Sequence, residues 1–110
     1  TGEILKPEQA LAGRYVKAVV PADQLLEEAY KIARRIAQHS PVAIALTRQM
    51  MYRNAAQDHP IEAHKVDSLA IFYTSLNDGK EGVQSFLEKR PPTFTGRTST
   101  DMPEFYPWWE

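Results

Sequence analysis

The stretch from Asn77 to Pro91 constrains the fold most, because it sets both ends of a helix. Asp78 is placed as an N-cap whose carboxylate accepts the first free N–H groups. Glu81, three residues on, is placed to reach back and close a capping box. Val83, Phe86 and Leu87 form an apolar stripe at helical spacing. Lys89 and Arg90 fall in the last turn, where positive charge suits the helix dipole. Pro91-Pro92 then bars any continuation. Phe86 and Lys89 are three apart, so a ring and an ammonium share one face. Such a pair suits a flat base beside a phosphate. A core phenylalanine followed by a solvated lysine satisfies the same spacing.

The rest of the chain is written in the same grammar. Pro7 to Ala12 reads as a short helix, with proline at its first position and Gly13 at its end. Tyr15 to Val20 is rich in β-branched residues and stops at Pro21, which predicts a short extended segment. Asp23 caps a longer helix in which Leu25, Ala29, Ile32 and Ile36 recur at helical spacing, widened by Leu26, Ala33 and Ala37. Glu27 and Lys31 are four apart in the favourable order. Ser40-Pro41 opens a further helix, from about Val42 to Ala55, with Val42, Ala45, Leu46 and Met50 on its apolar side and Ala43 and Met51 beside them. Asp58-His59-Pro60 repeats the signal before a helix from Ile61 to about Ser75, where Val66, Leu69, Ala70 and Tyr73 share a face that Phe72 and Leu76 extend. After Arg90 the helical period is lost and prolines recur. Yet Phe105, Tyr106, Trp108 and Trp109 are too apolar for a free end, so this tail is expected to lie along a protein surface. The expected fold is mainly α: four principal helices, a short extended segment near the N-terminus and a non-regular aromatic tail.

The chain has 110 residues, 43% hydrophobic and 25% charged, with a formal net charge of −1. That balance gives no electrostatic reason to expect nucleic acid or an anionic membrane as partner. No cysteine is present, which excludes disulfides and thiolate metal sites. No apolar run approaches the ~20 residues of a membrane span. The start, Thr1-Gly2-Glu3-Ile4-Leu5-Lys6-Pro7, has no signal-peptide character and reads as part of a longer chain. His39, His59 and His64 lack metal-ligand spacing and read as capping or solvated residues. There is no nucleophile motif and no phosphate-binding glycine loop. No carboxylate pair is set up as acid and base. The residues alone therefore give no catalytic and no metal-binding candidate.

Asp78-Gly79-Lys80-Glu81-Gly82, followed by Phe86-Leu87-Glu88-Lys89-Arg90 and then Phe94, resembles the C-terminal signature of the crotonase (enoyl-CoA hydratase/isomerase) family, with Ser85 where the family usually has alanine. Thr1-Gly2, Ala10, and Val16 with Val19-Val20 resemble the family's preceding stretch, with Arg14 where a glycine belongs and Gly13 one residue early. Leu25, Ala29 and Ile36-Ala37 ahead of Ser40-Pro41 resemble the next helix, and Arg48 takes a basic position usually held by lysine. The order and spacing of these pieces carry the resemblance from Thr1 to Phe94.

The resemblance implies that residues 1–94 are a crotonase-like C-terminal helical domain and 95–110 a Pro/aromatic tail. It implies that the catalytic glutamates and the oxyanion hole lie in a β/α core upstream of Thr1. The domain would cover the acyl pocket and help build a homo-oligomer, a trimer or hexamer in the parent enzyme. Phe86 and Lys89 would contact the coenzyme A of a neighbouring subunit. The implied substrate is an acyl-CoA thioester, the implied reaction hydration or isomerisation, and the implied setting cytoplasmic. A helical interaction module without acyl-CoA chemistry, or a relative with another acyl-CoA reaction, is the alternative at this stage.

Overall fold

A computed structural model describes residues 2–106. Among them there is no β-strand, and five α-helices follow one another: α1 (Pro7–Ala12), α2 (Leu25–Ile36), α3 (Pro41–Asn54), α4 (Pro60–Leu76) and α5 (Asp78–Leu87), with a 3-10 turn at Ala22–Gln24. The chain divides into two compact units, Thr1–Arg34 and Arg35–Glu110, the boundary falling within α2.

In the first unit α1 starts at Pro7 and ends in a Schellman turn. The Arg14 N–H donates to Leu11 O at 3.0 Å and the Tyr15 N–H to Ala10 O at 2.9 Å. The left-handed residue of this turn is Arg14, at φ 58°, rather than Gly13, at φ −77°. Gly13 instead leaves room for the exposed Tyr15 ring. A Cβ there would stand 2.9 Å from the Tyr15 ring and 3.2 Å from Gln9 O. The segment expected to be extended begins as a bend at Tyr15–Lys17 and pairs with no strand among the described residues. Asp23 does not cap α2; it lies inside the 3-10 turn that precedes it. Lys31 pairs with Glu28 at 3.5 Å rather than with Glu27. No residue of α1, the 3-10 turn or α2 is buried. The apolar stripe of α2 is real, but Leu25, Leu26 and Ile36 are exposed.

The second unit holds the core. Ser40 caps α3 by accepting from the Ala43 N–H at 3.2 Å, with Pro41 in the first turn. His59 caps α4, as its place before Pro60 suggested: its Nδ1 accepts from the Ile61 N–H at 3.1 Å. The core forms where Val42 and Leu46 of α3 meet Ala70 of α4, with Met50 and Tyr73 packed against them. Leu46 is 1% exposed, and burying a side chain of that size stabilises by about 2 kcal/mol. Leu69, Phe72, Leu76 and Met51 face away and are exposed, so each sequence stripe splits into a packed half and an open half.

α4 packs against both α3 and α5. Asn77 ends α4 and starts α5, its Nδ2 donating to Tyr73 O at 2.9 Å. The turn leaves no room for a side chain at Gly79, whose Cβ would lie 2.6 Å from Thr74 O. What α5 turns inward is Ser85, 3% exposed, its hydroxyl donating to Gly82 O at 3.1 Å. Its stripe of Val83, Phe86 and Leu87 is exposed.

The tail returns to the core. Met102 and Tyr106 pack on it, Pro103 is buried, and Phe105 meets Tyr73 edge to face at 6.1 Å. The Tyr73 hydroxyl donates to Asp101 O at 2.9 Å. The expectation that the aromatic tail lies along a surface therefore holds for Phe105 and Tyr106. Trp108 and Trp109 lie outside the described residues. None of the described helices is long and apolar enough to cross a membrane.

Candidate binding turn at the end of α5

The last turn of α5 closes as a second Schellman motif. The Lys89 N–H donates to Phe86 O at 3.2 Å and the Arg90 N–H to Ser85 O at 3.0 Å. The residue between helix and exit is Lys89, with φ 53°. Glycine is the usual occupant of that position, since a side chain there is crowded by the backbone. Phe86, one turn earlier, is 82% exposed. Ring and ammonium thus sit on one exposed turn, and the Lys89 side chain has no hydrogen-bond or ion-pair partner among the described residues.

The neighbours of Lys89 are tied down. Arg90 grips Glu81 with two nitrogens, at 2.6 and 2.9 Å, and its Nε donates to Glu88 Oε2 at 2.6 Å. Glu81 Oε1 also accepts the Thr93 N–H at 2.7 Å. Glu81 is therefore not the capping-box partner that its spacing suggested. The Arg90 hydrogen bonds, and then the Thr93 N–H, lower its carboxyl pKa to about 2. The Glu88 carboxyl is also lowered, first by Gln84 and then by Arg90. Arg90 is raised in turn, chiefly by Glu81.

Asp78 departs from expectation in the same way. It is the first residue of α5, makes no cap bond, and accepts from the Ser40 hydroxyl at 2.7 Å and the Gly96 N–H at 3.3 Å. Asp78 and Glu81, one helical turn apart, therefore fasten the returning segment at Gly96 and Thr93. Phe94 lies between these points, in van der Waals reach of a Cβ on Gly82. The acidic residues, the glycine and the last aromatic of the motif together hold the chain against α5.

A cleft of about 720 Å³ opens beside Asp78, lined by Ser40, Tyr73, Asp78, Glu81, Gly96 and Asp101 among others. Its two best-placed carboxylates, Asp78 and Glu81, are already engaged as acceptors. His59 is a cap, and His64 is exposed beside Asp67 at 3.2 Å. Phe86 lies at the exposed end of the helix, and Lys89 occupies the turn that follows it. Sequence reasoning missed the Arg90–Glu81 fork. Residues nine apart lie on opposite sides of a straight helix, and only the left-handed turn at Lys89 swings Arg90 back.

The fold and the α5 motif are both found in one known protein family. Residues 1–97 match the Enoyl-CoA hydratase/isomerase family, and the chain belongs to that family, the crotonases. It is 34% identical over 95 residues to the enoyl-CoA hydratase domain-containing protein 3, mitochondrial, of Rattus norvegicus, covering 86% of this chain and 32% of that protein. It is 32% identical over 99 residues to the 2,3-dehydroadipyl-CoA hydratase of Escherichia coli, covering 88% and 38%. The enoyl-CoA hydratase structure from Bacillus anthracis superposes with a TM-score of 0.76 at 29% identity, covering 83% of this chain and 35% of that one. The chain spans about a third of the length of the curated relatives it matches.

Proposed function

We propose that this chain is the C-terminal helical region of an enoyl-CoA hydratase or isomerase. Residues 1–94 would cover the acyl pocket and build subunit contacts, with 95–110 as an appended tail. Phe86 and Lys89 would reach the adenine and phosphates of a coenzyme A thioester held by a neighbouring subunit. The reaction is hydration of a 2-enoyl-CoA or movement of its double bond. The acid–base residues and the oxyanion hole for the thioester enolate belong outside this chain.

The observation that carries this reading is the exposed turn that holds Phe86 and Lys89. An uncovered phenylalanine forgoes about 2 kcal/mol of burial, and a ligand ring would restore it. Stacking on a base contributes roughly 1–3 kcal/mol, and a lysine–phosphate contact about 1.5–3 kcal/mol when partly desolvated. The helix C-terminus repels a phosphate, so the lysine must offset that end of the dipole. A left-handed lysine where glycine would be easier fits a position kept for what its side chain does.

Steady-state kinetics on the full-length enzyme test the reading. Phe86→Ala and Lys89→Ala are each expected to raise KM for crotonyl-CoA roughly tenfold. Unchanged KM in both variants would overturn it. The isolated chain is expected to hydrate no crotonyl-CoA, and turnover by it would overturn the assignment of chemistry elsewhere.

A further inference from the structure

We propose that Glu81 is a positioning residue for Lys89, acting through Arg90; this rests on the coenzyme A role assigned to Lys89 above. Lys89 sits at φ 53° with no partner for its own ammonium among the described residues, so nothing its side chain touches fixes its direction. The direction must come from the backbone on either side. Both neighbours are clamped: Arg90 forks onto Glu81 at 2.6 and 2.9 Å and bonds Glu88 at 2.6 Å. Glu81 is itself anchored, because its Oε1 accepts the Thr93 N–H at 2.7 Å and its side chain is only 24% exposed. The three residues that turn the chain at the end of α5 are thereby stapled to the first turn of the same helix. A planar guanidinium gives that staple a fixed geometry that an ammonium cannot. Releasing it would leave the turn held by its two backbone hydrogen bonds alone, as at Arg14, and the direction of Lys89 relative to Phe86 would no longer be fixed.

Positioning by Glu81 and simple charge act in opposite directions on binding. Coenzyme A is an anion, so removing a negative charge nearby should by itself tighten binding. Loss of positioning should weaken it. In the full-length enzyme Glu81→Gln is expected to raise KM for crotonyl-CoA roughly fivefold, with the change in KM rather than kcat. Arg90→Lys keeps the charge, loses the fork and is expected to do the same. In a Lys89→Ala background neither substitution should raise KM further, because there is no longer a lysine to place.

The outcomes separate. If Lys89→Ala leaves KM unchanged, the coenzyme A role of Lys89 fails, and this proposal with it. If Lys89→Ala raises KM but Glu81→Gln lowers it or leaves it alone, positioning is wrong and the binding role stands. An equal rise in KM with and without Lys89 also overturns positioning. Should Glu81→Gln fail to fold, Arg90→Lys gives the same readings.

Discussion

Lys89 and Arg14 occupy the same position of the same kind of turn, and both hold a left-handed backbone, at φ 53° and 58°. For a residue with a Cβ that conformation costs about 1–2 kcal/mol. Glycine would remove the cost and return part of it through a more flexible unfolded chain. Lys89→Gly should therefore stabilise the chain by about 0.5–1 kcal/mol in chemical denaturation while weakening acyl-CoA binding by the full-length enzyme. Arg14→Gly should give the stability gain alone. Glu81 gives a second expectation, in pH. Its carboxyl is held at about 2, below the ordinary value of 4.5. The unfolded chain binds that proton more readily, so the stability Glu81 confers is whole above about pH 4.5 and is lost as pH falls towards 2. In acid unfolding, the gap between the native chain and Glu81→Gln should close across that window. By sequence, Phe86 and Lys89 fall three apart on one helix, whereas α5 ends at Leu87 and Lys89 lies in the turn beyond it. Asp78 and Glu81 were misread too, because a capping box and a fastening to a returning segment use the same residues. Only the path of the chain after Pro92 decides between them.

At the scale of elements, the helix limits were legible because serine, histidine and proline mark them. α3 and α4 begin at the prolines of Ser40-Pro41 and His59-Pro60. Ser40 does more than start a helix. It accepts from the Ala43 N–H and donates to Asp78, so it joins the start of α3 to the start of α5. Ser40→Ala should cost about 1–3 kcal/mol, a cap plus a half-buried carboxylate deprived of its donor, read as a lowered denaturation midpoint. Which side of a helix packs was less legible. Periodicity finds the apolar side, but it does not tell whether that side is covered by this chain. On α5 the covered side is Ser85 and Gly82, which no hydrophobic pattern marks.

For the whole molecule, the uncovered faces dominate. Leu25, Leu26 and Ile36 on α2, Ile71 and Phe72 on α4, and Val83, Phe86 and Leu87 on α5 are all exposed. Apolar surface of that extent favours association. The purified chain is expected to self-associate as concentration rises, measured by light scattering; a monomer at every concentration would contradict this. The mainly α architecture was legible because all four principal helices carry apolar residues at helical spacing, and α3 and α4 carry capping residues as well. That the tail would lie on a surface was legible from its aromatic residues, but not that it would return to Tyr73, since irregular segments have no period to read. Ser85 has one more consequence. It works as a shim of fixed thickness under α5: a leucine in its place would act as a wedge, tilting the helix like a lever. The wedge would sit under the same end of α5 that carries Phe86 and leads to Lys89, so a change at a side chain hidden from any ligand would be felt as a misaimed grip.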